Sequence, residues 1–241
     1  MKKTFFSLIT GLLIMVSPLL SFGQKTEKQQ IEGSGNVITK DIAVQSFSEL
    51  KVSGLFSVYL VQGNTEAVKI EADDNFHPLF EVKNEGSKLI IKMQEDVNIK
   101  TKKGSKGMKV YVTFRNMKNM ELNTVGNVSA EDKLNFDDLS VKNGSVGSLQ
   151  LNLSARSVNI QNESVGSILL SGKADEVTIT NNGVGGLKAY DLVVQRMDIN
   201  NSGIGSAEVN VEKELKVKDS FLGKVTNKGA AMVKNMNKRV I

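Results

Sequence analysis

One histidine and a few carboxylate pairs are all this chain offers for acid–base or metal chemistry. His77 precedes Pro78 and lies three residues after Asp74. Zinc sites draw their ligands from Cys, His and carboxylates, and the sequence holds no Cys and no second His. A Ser-His-Asp triad would have to run through His77, yet no Gly-x-Ser-x-Gly elbow stands at a strand-to-helix junction. His77 is therefore expected to be a surface or turn-lining residue. Hydrolysis or lysis of glycans needs clustered carboxylates, or a base beside a bound cation. Asp73-Asp74 and Asp137-Asp138 are the local candidates. Adjacent residues on an extended chain face opposite sides, so each pair reads as turn or surface acidity. There is no EF-hand spacing and no Gly-Gly-x-Gly-x-Asp calcium repeat. No catalytic residue, metal or cofactor is expected, although a carbohydrate-active site assembled from different coils stays open as an alternative.

The second chemical feature is cationic. Lys100, Lys102, Lys103, Lys106 and Lys109 crowd around Gly104 and Gly107, between apolar runs at Leu89–Met93 and Met108–Phe114. A solvated hairpin loop is the first reading, and a finger for acidic glycans or lipid headgroups is the alternative. The chain carries 31 Lys and Arg against 26 Asp and Glu. Setting aside Lys2 and Lys3 leaves 29 against 26, a net charge of +3, which is no nucleic-acid footprint. With no Trp and three Tyr (Tyr59, Tyr111 and Tyr190), an aromatic sugar platform is not expected.

What must position any site is a repeat. Val141-Lys-Asn-Gly-Ser-Val-Gly147 returns as Ile160-Gln-Asn-Glu-Ser-Val-Gly166 and Ile179-Thr-Asn-Asn-Gly-Val-Gly185. Ile199-Asn-Asn-Ser-Gly-Ile-Gly205 and Val217-Lys-Asp-Ser-Phe-Leu-Gly223 complete it, the final glycines being 19, 19, 20 and 18 residues apart. A period near 20 marks units that bury their apolar faces only against their neighbours. Apolar residues recur eight, six and one before the glycine, as in Leu139, Val141 and Val146, and two and four after it, as in Leu149 and Leu151. Alternation by two predicts strands, and all of these columns are read as the inner face. Asn143, Asn162, Asn181, Asn201 and Asp219 recur four before the glycine. Asn and Asp favour turns and bond nearby backbone, so this column reads as a structural corner ladder. The fold class is all-β, a single-stranded right-handed β-helix-like solenoid with about 20 residues per coil.

Residues 1–23 read as a signal peptide: Lys2 and Lys3, an apolar run from Phe5 to Leu20, and small residues in Ser21-Phe22-Gly23, with cleavage before Gln24. No later segment is long and apolar enough to span a membrane. Residues 24–35 read as a flexible leader, 36–229 as the solenoid domain with strict repeats over 139–227, and 230–241 as a cap and basic tail. Phe47 to Leu60 alternates around Gly54 like a degenerate first coil, and Asp73 to Phe80 holds the one plausible helical turn.

From Phe47-Ser-Glu-Leu-Lys-Val-Ser-Gly-Leu-Phe-Ser-Val-Tyr-Leu-Val-Gln-Gly63, through Val68-Lys-Ile-Glu-Ala-Asp-Asp-Asn75 and Ser87-Lys-Leu-Ile-Ile91, to the glycine repeats, the chain resembles the bacterial putative auto-transporter adhesin family with its head GIN domain. The resemblance covers about residues 36 to 229. That family's Gly-Ser-Gly triplet is replaced here by Ser145-Val-Gly147 and its equivalents. The resemblance implies a β-helix-like fold and an adhesin-like surface role, and it brings no catalytic residues. Together these readings give a non-enzymatic exported protein of the periplasm, outer surface or medium. Its contacts would be spread over rows such as Lys142, Gln161, Thr180, Asn200 and Lys218. Its partner would be an envelope or surface component, a glycan among the candidates, and not nucleic acid.

Overall fold

The computed structural model describes residues 29–102 and 107–236. The segment read as a signal peptide, Lys103, Lys106 and the last five residues lie outside them. The chain forms a β-solenoid of about six turns, with parallel coils of about 20 residues. Its strands in order are β1 (Gln29–Glu32), β2 (Val37–Ile42), β3 (Glu49–Gly54), β4 (Ser57–Gln62) and β5 (Ala67–Asp73). A 3-10 turn, Asp74–Leu79, leads to β6 (Phe80–Glu85), β7 (Lys88–Met93), β8 (Val97–Lys100), β9 (Lys109–Phe114), β10 (Asn119–Thr124) and β11 (Val128–Ser129). The repeats follow as β12 (Leu134–Asn143), β13 (Leu149–Asn162), β14 (Ile168–Asn181), β15 (Leu187–Asn201) and β16 (Ala207–Asp219). Short β17 (Val225–Asn227) and β18 (Val233–Asn235) close the order.

Each long strand bends at its middle and so covers two sides of a coil. Equivalent residues stack: Val141 pairs with Ile160, Ile160 with Ile179, Ile179 with Ile199 and Ile199 with Val217. The second side stacks Leu149, Ile168, Leu187, Ala207 and Val225 in the same way. Both columns are buried, Val225 only partly, and each side chain contributes about 1.5–3 kcal/mol by leaving water. Register shifts at Leu169/Ser171, Ala189/Val193 and Val194/Arg196 fall at the bend. The 20- and 18-residue spacings are absorbed there, and the Asn and Gly corners keep step.

A third, narrow side runs through the glycine corner as parallel bridges joining Val125, Val146, Val165, Val184 and Ile204. This corrects the sequence reading of that column. Val146, Val165, Val184, Ile204 and Leu222 are exposed, not inner. Inner positions keep even offsets from the glycine, so Ser145 at minus two is buried and Val146 at minus one must face out. In the last coil Phe221 takes the position of Ser145 and Gly203. A phenyl ring exceeds a corner lined by Ser and Gly, and Phe221 is 97% exposed.

The first coil is as read: β3 stacks on β10 and β4 pairs with β11. Beyond it, antiparallel pairs β2–β5 and β6–β7 close that end of the stack with strands rich in Lys, Asp and Glu, which blunts its edges. The flexible-leader reading needs correction over 29–35. β1 pairs with β8, Gly33 N–H donates to the Lys100 carbonyl (2.9 Å), and Ile31 packs on the core. At the other end Ala231 is buried, while Met232 and Val233 are exposed.

Candidate interaction surface

The Asn corner was expected to bond backbone, and it does more. Asn143 Nδ2 donates to Asn162 Oδ1 (2.9 Å), Asn162 to Asn181 (2.7 Å) and Asn181 to Asn201 (2.5 Å). All four side chains are buried, so the ladder lies inside the stack and is closed to ligands. At the last coil the pattern changes. Asn201 Nδ2 donates to the carbonyls of Gly205 and Gly223, and Asp219 Oδ2 accepts from the Val225 N–H (3.2 Å). Asn181→Ala would leave the Asn162 donor and the Asn201 acceptor buried without each other's link. The expected loss is about 2–4 kcal/mol, read as a shift in the urea unfolding midpoint, against almost none for exposed Asn182→Ala.

The lysine segment does not converge. Lys100 lies on β8 and its ammonium is 3.8 Å from the Glu32 carboxylate. Lys102 Nζ donates to the Ser34 carbonyl (2.6 Å), and Lys109 on β9 donates to Glu71 (2.7 Å). That hydrogen bond holds the Lys109 ammonium above its ordinary pKa. These three side chains brace β8, the turn after β1, and β9 against β5.

The acid–base candidates are also structural. His77 is buried in the 3-10 turn, with Nε2 3.2 Å from the Ile38 carbonyl, so it lines a turn and is not on the surface. Asp74 accepts from Ser34 Oγ (2.5 Å) and Asn36 Nδ2 (2.9 Å), and the Ser34 bond does most to lower its carboxyl pKa. Asp73 is buried and accepts from the Gly35 N–H. Asp138 pairs with Arg156 on the next coil. Among the described residues no group of three or more His, Asp or Glu is placed to hold a metal ion.

Outward columns make the remaining surface. One row stacks Lys142, Gln161, Thr180, Asn200 and Lys218 in register. At the bend of the coils a shallow groove of about 640 Å³ crosses β12 to β15, floored by Ala155, Gly172 and Ala174 and edged by Asp137, Arg156 and Lys173. Beside it Glu176 and Arg196, register partners on adjacent coils, form an ion pair (2.6 Å). Sequence reasoning missed one aromatic pair: β4 and β9 bring Tyr59 and Tyr111 together with ring centroids 4.9 Å apart. Tyr111 reaches Glu71 (3.4 Å), which ties the stack to the Lys109 ion pair.

Comparison with known proteins agrees with this architecture. The family model described as putative auto-transporter adhesin, head GIN domain, matches residues 46–231. A crystal structure of a putative adhesin from Bacteroides fragilis is 23% identical and superposes with a TM-score of 0.71, covering 86% of this chain and 100% of its own. A putative lipid binding protein from Parabacteroides distasonis is 14% identical with a TM-score of 0.55, covering 87% of this chain and all of its own. A putative adhesin from Parabacteroides merdae is 18% identical with a TM-score of 0.53, over the same shares. No curated protein matches the chain.

Proposed function

We propose, from the premise that the chain belongs to the putative auto-transporter adhesin, head GIN domain family, that it is a non-enzymatic adhesin-like protein exported by residues 1–23. It meets an external component through rows of outward side chains and not through a single pocket. The observation that carries this reading is the register of β12 to β16. It sets Lys142, Gln161, Thr180, Asn200 and Lys218 about 4.8 Å apart on one face. Such a row suits a partner that is itself extended and repetitive, such as a polysaccharide strand. The engagement of Lys100, Lys102 and Lys109 with Glu32, the Ser34 carbonyl and Glu71 weighs against the anion-binding alternative.

Distributed contact has a measurable signature. Bead-coupled protein is tested against a panel of polysaccharides and mucin glycans, with Lys142, Gln161, Thr180 and Asn200 changed to Ala singly and together. Each single change is expected to weaken retention about twofold and the quadruple variant at least tenfold, since each 1.4 kcal/mol is a factor of ten. Loss of all binding from one substitution would point to a localised site and overturn the reading. Protease accessibility on intact cells tests the surface location.

A further inference from the structure

The row on the third side stays aliphatic in all six coils although it faces water. Val125, Val146, Val165, Val184, Ile204 and Leu222 are each between 46% and 58% exposed. Thr would suit a strand as well as Val does, so backbone preference does not account for six apolar rungs. The rungs lie about 4.8 Å apart and form a stripe about 24 Å long. Six half-exposed side chains present about 450 Å² of aliphatic surface, a patch of the size that marks an interaction site. The residues two before and two after each rung are Asn, Ser or Gly, except Glu163 and Lys224. In a chain that is 24% charged, this strip is nearly neutral.

We propose that this stripe is a self-association surface and seats the same stripe of a second copy, with the two solenoids antiparallel. A ladder with the same spacing is the partner whose knobs meet the gaps at every rung, as in dry zippers of stacked sheets. In the antiparallel arrangement Val165 faces Val184 of the second copy, Val146 faces Ile204 and Val125 faces Leu222. Each larger rung meets a valine, which evens the gap along the stripe; a parallel arrangement would set Leu222 against itself and leave the valines apart. Glu163 then meets Asn182 of the second copy and Lys224 meets Asn127, so no like charges oppose. With its polar margins the stripe offers about 800 Å² per copy, the standard size for a specific interface.

Sedimentation velocity over about 1–500 μM tests the proposal. The unmodified protein is expected to pass from monomer to dimer within that range. Val165→Glu and Val184→Lys are each expected to weaken the dimer at least tenfold, and mixing the two variants to restore association, because the new charges face one another. Val165→Thr keeps the branched shape and checks that folding is intact: the dimer weakens and the thermal midpoint stays. A protein that is monomeric at the top of the range overturns the proposal. So does a dimer that Val165→Glu and Val165→Thr leave unchanged.

Discussion

Ile179→Asp is expected to remove more than 4 kcal/mol of stability and to leave the chain unfolded or open between coils at 37 °C. Ile179 is 1% exposed and is covered above and below by Ile160 and Ile199, its register partners. A carboxylate placed there loses its hydration and finds neither cation nor amide among Val, Ile and Leu neighbours. It must either protonate, which raises its pKa, or drag water into the stack, and both are costly. Repeat stacks bind each coil only to its neighbours, so damage at the middle coil separates the two halves of the solenoid. The control is Val184→Asp, five residues later on the exposed stripe, which is expected to cost under about 1 kcal/mol. Equal losses in thermal and urea unfolding for the two variants would mean that the inner and outer faces are exchanged.

That contrast shows how much of the molecule can be read from its sequence. The coil period and the buried columns are legible because every repeat restates them: a β-branched residue six before the glycine is inner in all five units. The exposed valine column was equally periodic, and periodicity alone does not tell in from out. The odd offset from the glycine does, because side chains on a strand alternate. The Asn corner could be recognised by residue type, but the amide-to-amide bonds between coils depend on stacking at strand separation. The non-repeating end was the least legible. The antiparallel cover of β2, β5 and β6, the pairing of β1 with β8, and the Tyr59–Tyr111 stack all depend on strands far apart in sequence. No local pattern announces such pairings, and the lysine segment looked like a free loop because its acceptors Glu32, Ser34 and Glu71 lie about 40–70 residues away.

Gly166→Ala should be nearly as damaging as the buried charge, and for a different reason. Gly166 sits at φ +148°, a conformation that L-residues rarely adopt, so any side chain costs about 1–3 kcal/mol in backbone strain alone. A methyl there would also overlap the carbonyl oxygen of Gly147 on the adjacent coil and come within 2.6 Å of its carbonyl carbon. Both are backbone atoms locked into the coil-to-coil bonds Gly147 N–H to Val165 O (2.9 Å) and Gly166 N–H to Val184 O (2.8 Å). No side chain can swing aside, so the coils must part or tilt, and those hydrogen bonds stretch with them. The same approach repeats at Gly147, Gly185 and Gly205, each packed on the carbonyl of the glycine before it, which explains why one residue type holds this corner in coil after coil. The expected loss for Gly166→Ala is about 3–5 kcal/mol, with faster amide exchange at Gly147 and Gly166 before global unfolding. Gly186→Ala is the matched control. Its added methyl would meet only the Ser206 carbonyl oxygen at 3.7 Å, and it is expected to be neutral or slightly stabilising through the unfolded chain. If both alanine variants melt together with the unmodified protein, close stacking of the glycine corner is not what sets the coil spacing.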